Sequence, residues 1–183
     1  MIKALGVVFA LLSTAASAAE PNRWTIDYGA SRLGFTAEQA QAKFDGAFVK
    51  FAADVRFDPD ALGESRAEVS VDTGSVATAD AERDGILRSE GWFETAAYPQ
   101  AQFSAKTFVR TADGFEARGD LRIRDMTVPV VFTFTLTEGG GRVELRGHAD
   151  LDRFAFGLGL GDWADTKWIG QRVRIAVTLV ATR

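Results

Sequence analysis

The chain reads as an all-β protein: a lipocalin-like antiparallel up-and-down barrel of about eight strands, with a short helix capping one mouth. Three observations carry this reading. Most of the sequence alternates apolar and polar residues with a period of two. Turn signals such as Asp113-Gly114 and Gly139-Gly140-Gly141 recur between the alternating stretches at meander spacing. One segment alone, Ala81 to Phe103, breaks that rhythm with a helical pattern. A flat sheet of so many long strands leaves two open edges, and closure into a barrel removes both. A β-sandwich is the alternative arrangement.

Taken in order, Trp24 to Asp27 forms a first strand, turned by Gly29-Ala30-Ser31, and Leu33, Phe35 and Ala37 mark a second. Ala40 to Asp45 reads as a polar connector. The clearest strand follows, with Ala47, Val49, Phe51, Ala53, Val55 and Phe57 on one face and Lys50, Asp54 and Arg56 on the other; Phe48 sits on the wrong side of this pattern. Asp58-Pro59-Asp60 ends it, and Ala67, Val69 and Val71 open a fourth.

The helical segment has Thr78 as its expected N-cap, Asp80 and Glu82 in its first turn, and Asp84 four residues before Arg88, the orientation that favours an ion pair. Gly85 keeps it short. Trp92 and Phe93 follow, and Tyr98-Pro99 forces an extended exit. The remaining strands alternate around Phe103 and Ala105, then Phe115 to Ile123. Asp125-Met126-Thr127 turns into Val130 to Leu136. Val143 to Leu151 follows, then a glycine-rich loop and a last strand over Val173 to Ala181.

The first residues are expected to be a secretory leader (1–19), ahead of a single domain (20–183). Lys3 supplies the positive start, Leu5 to Leu12 the short apolar run, and Ala16-Ser17-Ala18 the small-residue cleavage site, with cleavage after Ala18 or Ala19. A periplasmic location and no integral membrane segment are the corresponding expectations. The chain has no cysteine, which excludes disulfides, thiolate metal sites and thiol catalysis. The formal charge is −4, one more negative once Lys3 leaves, and the arginines are scattered, so nucleic acid is not the expected partner. Fourteen phenylalanines, all but Phe9 beyond the leader, supply a large apolar interior of stiff rings.

Catalytic motifs are missing. His148, the single histidine, falls on the outward side of its strand. Gly157 to Gly161 precedes no helix, so it reads as a flexible loop rather than a nucleotide-binding turn. Asp150 and Asp152 share one strand face and read as solvated. The inward faces mix aromatics with small residues (Ala37, Ala47, Ala53, Ala67, Ala105, Ala117, Gly119, Gly147, Ala149, Ala181). Small residues beside rigid rings leave unfilled apolar space, the kind that takes a lipid-like guest.

Several motifs resemble the YceI family of exported lipocalin-like proteins. They are Trp24-x-Ile26-Asp27 with Ser31 and Phe35, then Gly46-x-Phe48, then Phe57-Asp58-Pro59. The stretch Arg83-Asp84-x-x-Leu87-x-Ser89-x-x-Trp92-Phe93, with Tyr98-Pro99 and Phe103, is similar to the family's central signature. Gly119-Asp120-Leu121-x-Ile123-Arg124-Asp125-Met126-Thr127-x-Pro129-Val130 and Arg153-x-x-Phe156-Gly157 match its later parts. Ala30 departs from it, standing where many members carry His before the serine.

The resemblance implies a barrel enclosing an elongated tunnel for a polyisoprenoid chain, such as that of an isoprenoid quinone, with no other cofactor. The loop Asp152-Arg153…Trp163-Ala164-Asp165…Trp168 is similar to that of members found with di-haem cytochrome b membrane proteins, which makes such a protein the expected partner. The expected tunnel wall is Phe35, Val49, Phe51, Val55, Phe103, Phe132 and Phe134. Trp92 and Phe93 are expected to gate it, and Phe156, Trp163 and Trp168 to mark the mouth. The alternatives are a filled barrel acting as an interaction module for a membrane cytochrome b, and a small hydrolase or isomerase on the same fold.

Overall fold

A computed structural model describes residues 23–182. The expected leader and its cleavage site lie outside the described residues.

Eleven strands form one antiparallel sheet that curls into a barrel: β1 (Thr25–Ile26), β2 (Arg32–Gln39), β3 (Ala42–Phe48), β4 (Phe51–Arg56), β5 (Arg66–Asp72), β6 (Val76–Ala77), β7 (Gln100–Thr111), β8 (Gly114–Ile123), β9 (Met126–Gly139), β10 (Arg142–Asp152) and β11 (Arg172–Thr182). The path runs β4-β5-β7-β8-β9-β10-β11-β2-β3-β6, with β1 alongside β11. Closure comes at β1: Trp24 N–H donates to the Val55 carbonyl at 3.0 Å, joining the β11 side of the path to β4.

The count exceeds the expected eight because two long strands are bent into pairs and the short β1 pairs separately beside β11. One corner, at Val49–Lys50, turns β3 into β4; the 3-10 turn η1 (Leu62–Glu64) lies between β4 and β5, and η2 (Thr73–Ser75) turns β5 into β6. Ser75 holds both corners together. Its carbonyl accepts from Val49 N–H at 3.3 Å, its hydroxyl accepts from Lys50 N–H at 3.1 Å, and that hydroxyl donates to the Asp72 carbonyl at 2.6 Å. Inward positions are therefore Phe44, Gly46 and Phe48 before the corner and Phe51, Ala53 and Val55 after it. The three-residue step from Phe48 to Phe51 breaks the two-residue parity. Phe48, the misfit of the sequence pattern, is the inward residue, while Val49 and Ala47 are not.

The Ala40–Asp45 connector is likewise mostly strand. β2 and β3 are joined by Ala40-Gln41 alone, both with positive φ (49° and 64°), the geometry of a two-residue type I′ turn. Gly140-Gly141 makes the same turn between β9 and β10 with residues suited to it. Between β8 and β9 the turn is Arg124-Asp125, one residue earlier than the sequence indicates.

The single α-helix among the described residues, α1 (Ala81–Arg88), sits over one end of the barrel. Its N-cap is Asp80, whose carboxylate accepts from the backbone N–H of Glu82 and Arg83, each at 3.0 Å. Thr78 does not cap it; Thr78 donates instead, through N–H and hydroxyl, to the Asp84 carboxylate at 2.8 and 2.7 Å. The expected Asp84–Arg88 pair does not form, because Arg88 reaches the carbonyls of Gly74 and Val76 at 2.9 and 2.8 Å and ties the helix to η2 and β6.

Candidate ligand site: an apolar lumen beneath α1

The two ends of the barrel differ. Away from α1, Phe57 is 1% exposed, and the rings of Phe115, Phe134 and Phe108 surround it at centroid distances of 5.1, 5.3 and 5.5 Å. Trp24 seals this floor edge-on. Such aromatic pairs are worth about 0.5–1.5 kcal/mol each beyond their buried area. Toward α1 the interior is not filled. A cavity of about 480 Å³ runs up from the floor, within the size range of small-molecule pockets, roughly 300–1,000 Å³.

Ten of the expected site residues line this lumen: Phe35, Phe51, Val55, Phe103, Phe132 and Phe134 in the wall or floor, and Trp92, Phe93, Phe156 and Trp163 toward α1. Two do not. Val49 is 67% exposed, turned outward by the Val49–Lys50 corner. Trp168 is 66% exposed; its carbonyl is held by Ala40 N–H at 2.7 Å, and its neighbour Ile169 faces the lumen in its place.

Small residues do line part of the lumen, Ala53, Ala67 and Ala149 among them. The inward glycines create no void. At Gly147 the rings and backbone of Phe132, Thr133 and Phe134 occupy the space of a side chain, and at Gly119 Ser104 and Ala105 do so.

The polar lining clusters toward the α1 end. Gln39, at the end of β2, accepts from Arg83 Nε at 3.0 Å, and Arg83 lies 4.2 Å over the Phe44 ring while pairing with Asp80 at 3.4 Å. Asp80 and Glu82 also border the lumen. The Arg83 and Glu82 backbone N–H groups hold the Asp80 carboxyl below the usual carboxylate range, aided by the Arg83 charge and opposed by partial burial. Phe44, Phe48 and Arg83 were not among the expected site residues. Phe48 shows in the sequence through its wrong parity and its place in the Gly46-x-Phe48 motif.

Arg153, 3% exposed, organises the loop after β10, whose Ile169 pairs with Gln39. Its Nε donates to Gly170 O at 3.0 Å, and its Nη1 donates to Leu158 O at 2.8 Å and to Gly159 O. Its Nη2 donates to Trp163 O at 2.7 Å and Ile169 O at 3.0 Å. Burial lowers the Arg153 pKa, with the Asp152 charge opposing. Gly159, at φ +62°, fits because a Cβ there would meet Arg153 Nη1 and the Trp92 ring at 2.6–2.7 Å. Trp163 covers Trp92 edge-on at 6.1 Å. The Trp92 indole N–H is buried and has no acceptor among the described residues.

No helix among the described residues is long and apolar enough to cross a membrane. Ala30 lies on the turn between β1 and β2, at the end of the barrel away from α1.

A family profile described as a YceI-like domain matches residues 24–181. Protein YceI of Escherichia coli O157:H7 is 32% identical over 146 residues, which span 74% of this chain and 73% of that protein. Among solved structures, Burkholderia cenocepacia BcnA superimposes with a TM-score of 0.82 at 29% identity, covering 86% of this chain and all of BcnA. A polyisoprenoid-binding domain from Saccharophagus degradans, implicated in plant cell wall breakdown, shares the fold with a TM-score of 0.69 at 16% identity, covering 87% of this chain and 97% of that domain.

Proposed function

Because the chain belongs to the YceI family, we propose that it binds an isoprenoid lipid, with the prenyl chain in the lumen and the head group beneath α1, and carries or stores it in the periplasm. The observation that carries this reading is the shape and chemistry of the interior: a filled aromatic floor, an apolar space above it, and polar groups gathered toward one end. A long chain with a polar terminus is the ligand class that matches such a gradient. The polyisoprenoid-binding domain of the same fold supports the same class of guest.

The finer reading is a quinone. The buried Trp92 N–H is a donor without an acceptor among the described residues, and a quinone carbonyl supplies one; leaving such a donor unmet costs about 1–3 kcal/mol. A membrane-embedded di-haem cytochrome b is the proposed partner, supported by the likeness of the 152–168 loop to members found with such proteins. A binding protein is favoured over a hydrolase or isomerase because catalysis needs polar groups converging on the reacting atoms. Of the polar groups bordering the lumen, Arg153 spends its donors on backbone carbonyls and Arg83 is engaged by Gln39 and Asp80.

Each prenyl unit adds five carbons, about 4 kcal/mol of gross transfer free energy at about 0.8 per carbon. Ordering and desolvation costs remove much of it, but a surviving third is still roughly tenfold in affinity per unit. Titration with geraniol, farnesol and geranylgeraniol is therefore expected to show affinity climbing about tenfold or more per unit until the lumen is full. Affinity independent of chain length would overturn the reading.

A further inference from the structure

β9 and β10 leave their turn as a regular antiparallel ladder, from Gly139↔Arg142 to Thr133↔His148, and there the ladder stops. β9 continues to Met126 with β8 beside it, and β10 continues to Asp152 with β11 beside it. Across the gap between them no residue pairs. Extended by the same register, the ladder would set Val131 opposite Asp150 and Val130 opposite Leu151. Instead the strands splay, and η3 (Arg153–Phe156) packs against β9. Pro129 lies where β9 pairs with β8 but not with β10, and proline, lacking an N–H, is confined to strand margins of this kind.

The splay leaves an outer hollow of about 450 Å³. Val130, Ala149, Leu151 and Phe156 line both this hollow and the lumen. Along this seam these four residues stand between the two spaces. Parting them needs the buried Leu151 and Phe156 side chains to change rotamer and breaks no β9–β10 ladder hydrogen bond. The outer rim includes Val128, Val131 and Ala155, with Val131 49% exposed. The carboxylates beside it are already engaged, Asp150 by both arms of Arg174 at 2.8 Å and Asp152 by Gln171 at 2.8 Å.

We propose that this split is a second, lateral opening of the lumen, through which the hydrocarbon chain of the bound lipid enters and leaves. The proposal rests on the reading of the lumen as a prenyl-chain site. At the α1 end a bare hydrocarbon passes the charges of Asp80, Glu82 and Arg83; at the split Thr133, His148, Asp150 and Asp152 border the outer hollow, but the residues shared with the lumen, Val130, Ala149, Leu151 and Phe156, are all apolar. A side opening also lets the chain pass directly between an apolar phase and the lumen, without exposing its whole length to water.

The chain has no cysteine of its own, so Val131→Cys with Asp150→Cys places a unique pair across the seam. A short bis-methanethiosulfonate linker stitches it shut, and dithiothreitol reopens it. Geranylgeraniol uptake from phosphatidylcholine vesicles, followed by tryptophan fluorescence, is expected to slow at least tenfold in the linked protein, with final occupancy unchanged and the rate restored by reduction. Ala155→Trp, which crowds the outer hollow and leaves the lumen lining intact, is expected to slow uptake in the same sense. Unchanged rates in both proteins overturn the lateral opening while leaving the lumen reading standing. Failure of the unmodified protein to take up geranylgeraniol overturns both.

Discussion

The guanidinium of Arg153 stands 5.6 Å from the centre of the Trp92 ring, and both side chains are buried. This contact joins the loop after β10 to the segment after α1, two pieces of chain that border the lumen. Arg153 acts through the backbone carbonyls it gathers, at Gly159, Leu158, Trp163, Ile169 and Gly170.

Arg153→Ala strands those carbonyls and removes the cation from Trp92. The expected loss is about 3–5 kcal/mol in urea unfolding, the range for breaking a buried charged network. Arg153→Lys keeps the charge but replaces a planar fork with a compact ammonium, so it should recover only part of the loss. Equal stability of Arg153→Ala and wild type contradicts the role assigned to it.

The cap of α1 is pH-dependent. Asp80 has its pKa lowered in the folded state, first by the Arg83 N–H. Its contribution is therefore fully present above its unfolded pKa, about 3.9, and is lost as pH falls through the lower folded value. Asp80→Asn keeps an acceptor at the cap without the charge. Thermal unfolding should show the variant less stable at neutral pH, with the gap narrowing below about pH 4; a gap that widens in acid contradicts the assignment.

The barrel was legible because β8 to β11 are strands whose inward and outward residues largely alternate and whose turns include Gly140-Gly141, suited to positive φ; β7 breaks the alternation at a register shift between Ala105 and Thr107. Legibility failed where a distant residue decides local direction. The corner that turns Val49 outward is held by Ser75, some 25 residues away, and nothing in the 47–57 stretch announces it except the misplaced Phe48. Phe44 was hidden because Ala40-Gln41 carries no turn signature. The same limit applies to the site. That inward small residues border open space holds at Ala53, but at Gly147 the Phe132 ring takes the room. An alternating pattern does not distinguish a void from a neighbour's ring. The split between β9 and β10 left one trace in the sequence, Pro129.

The Ala40-Gln41 turn is itself testable. Both residues occupy a conformation that disfavours side chains with a Cβ, at a cost of about 1 kcal/mol or more each. Replacing them with Asn-Gly, the pair suited to this turn, should raise stability by about 1–2 kcal/mol. A loss of stability would mean the turn is held by side-chain contacts.

Floor and wall should respond differently to truncation. Phe57→Ala empties the centre of the aromatic floor and should cost about 3–5 kcal/mol. Phe103→Ala, at a half-buried ring already facing open space, should cost about 1–2 kcal/mol and enlarge the lumen. Similar costs at the two positions would show that the upper barrel is packed as tightly as the floor.

Native mass spectrometry of the freshly purified protein addresses the central claim most directly. A folded monomer heavier than its polypeptide by one prenyl lipid, released on denaturation and lost in Ala53→Trp, is the predicted result. A folded monomer at the bare polypeptide mass, still unloaded after incubation with geranylgeraniol, would contradict it.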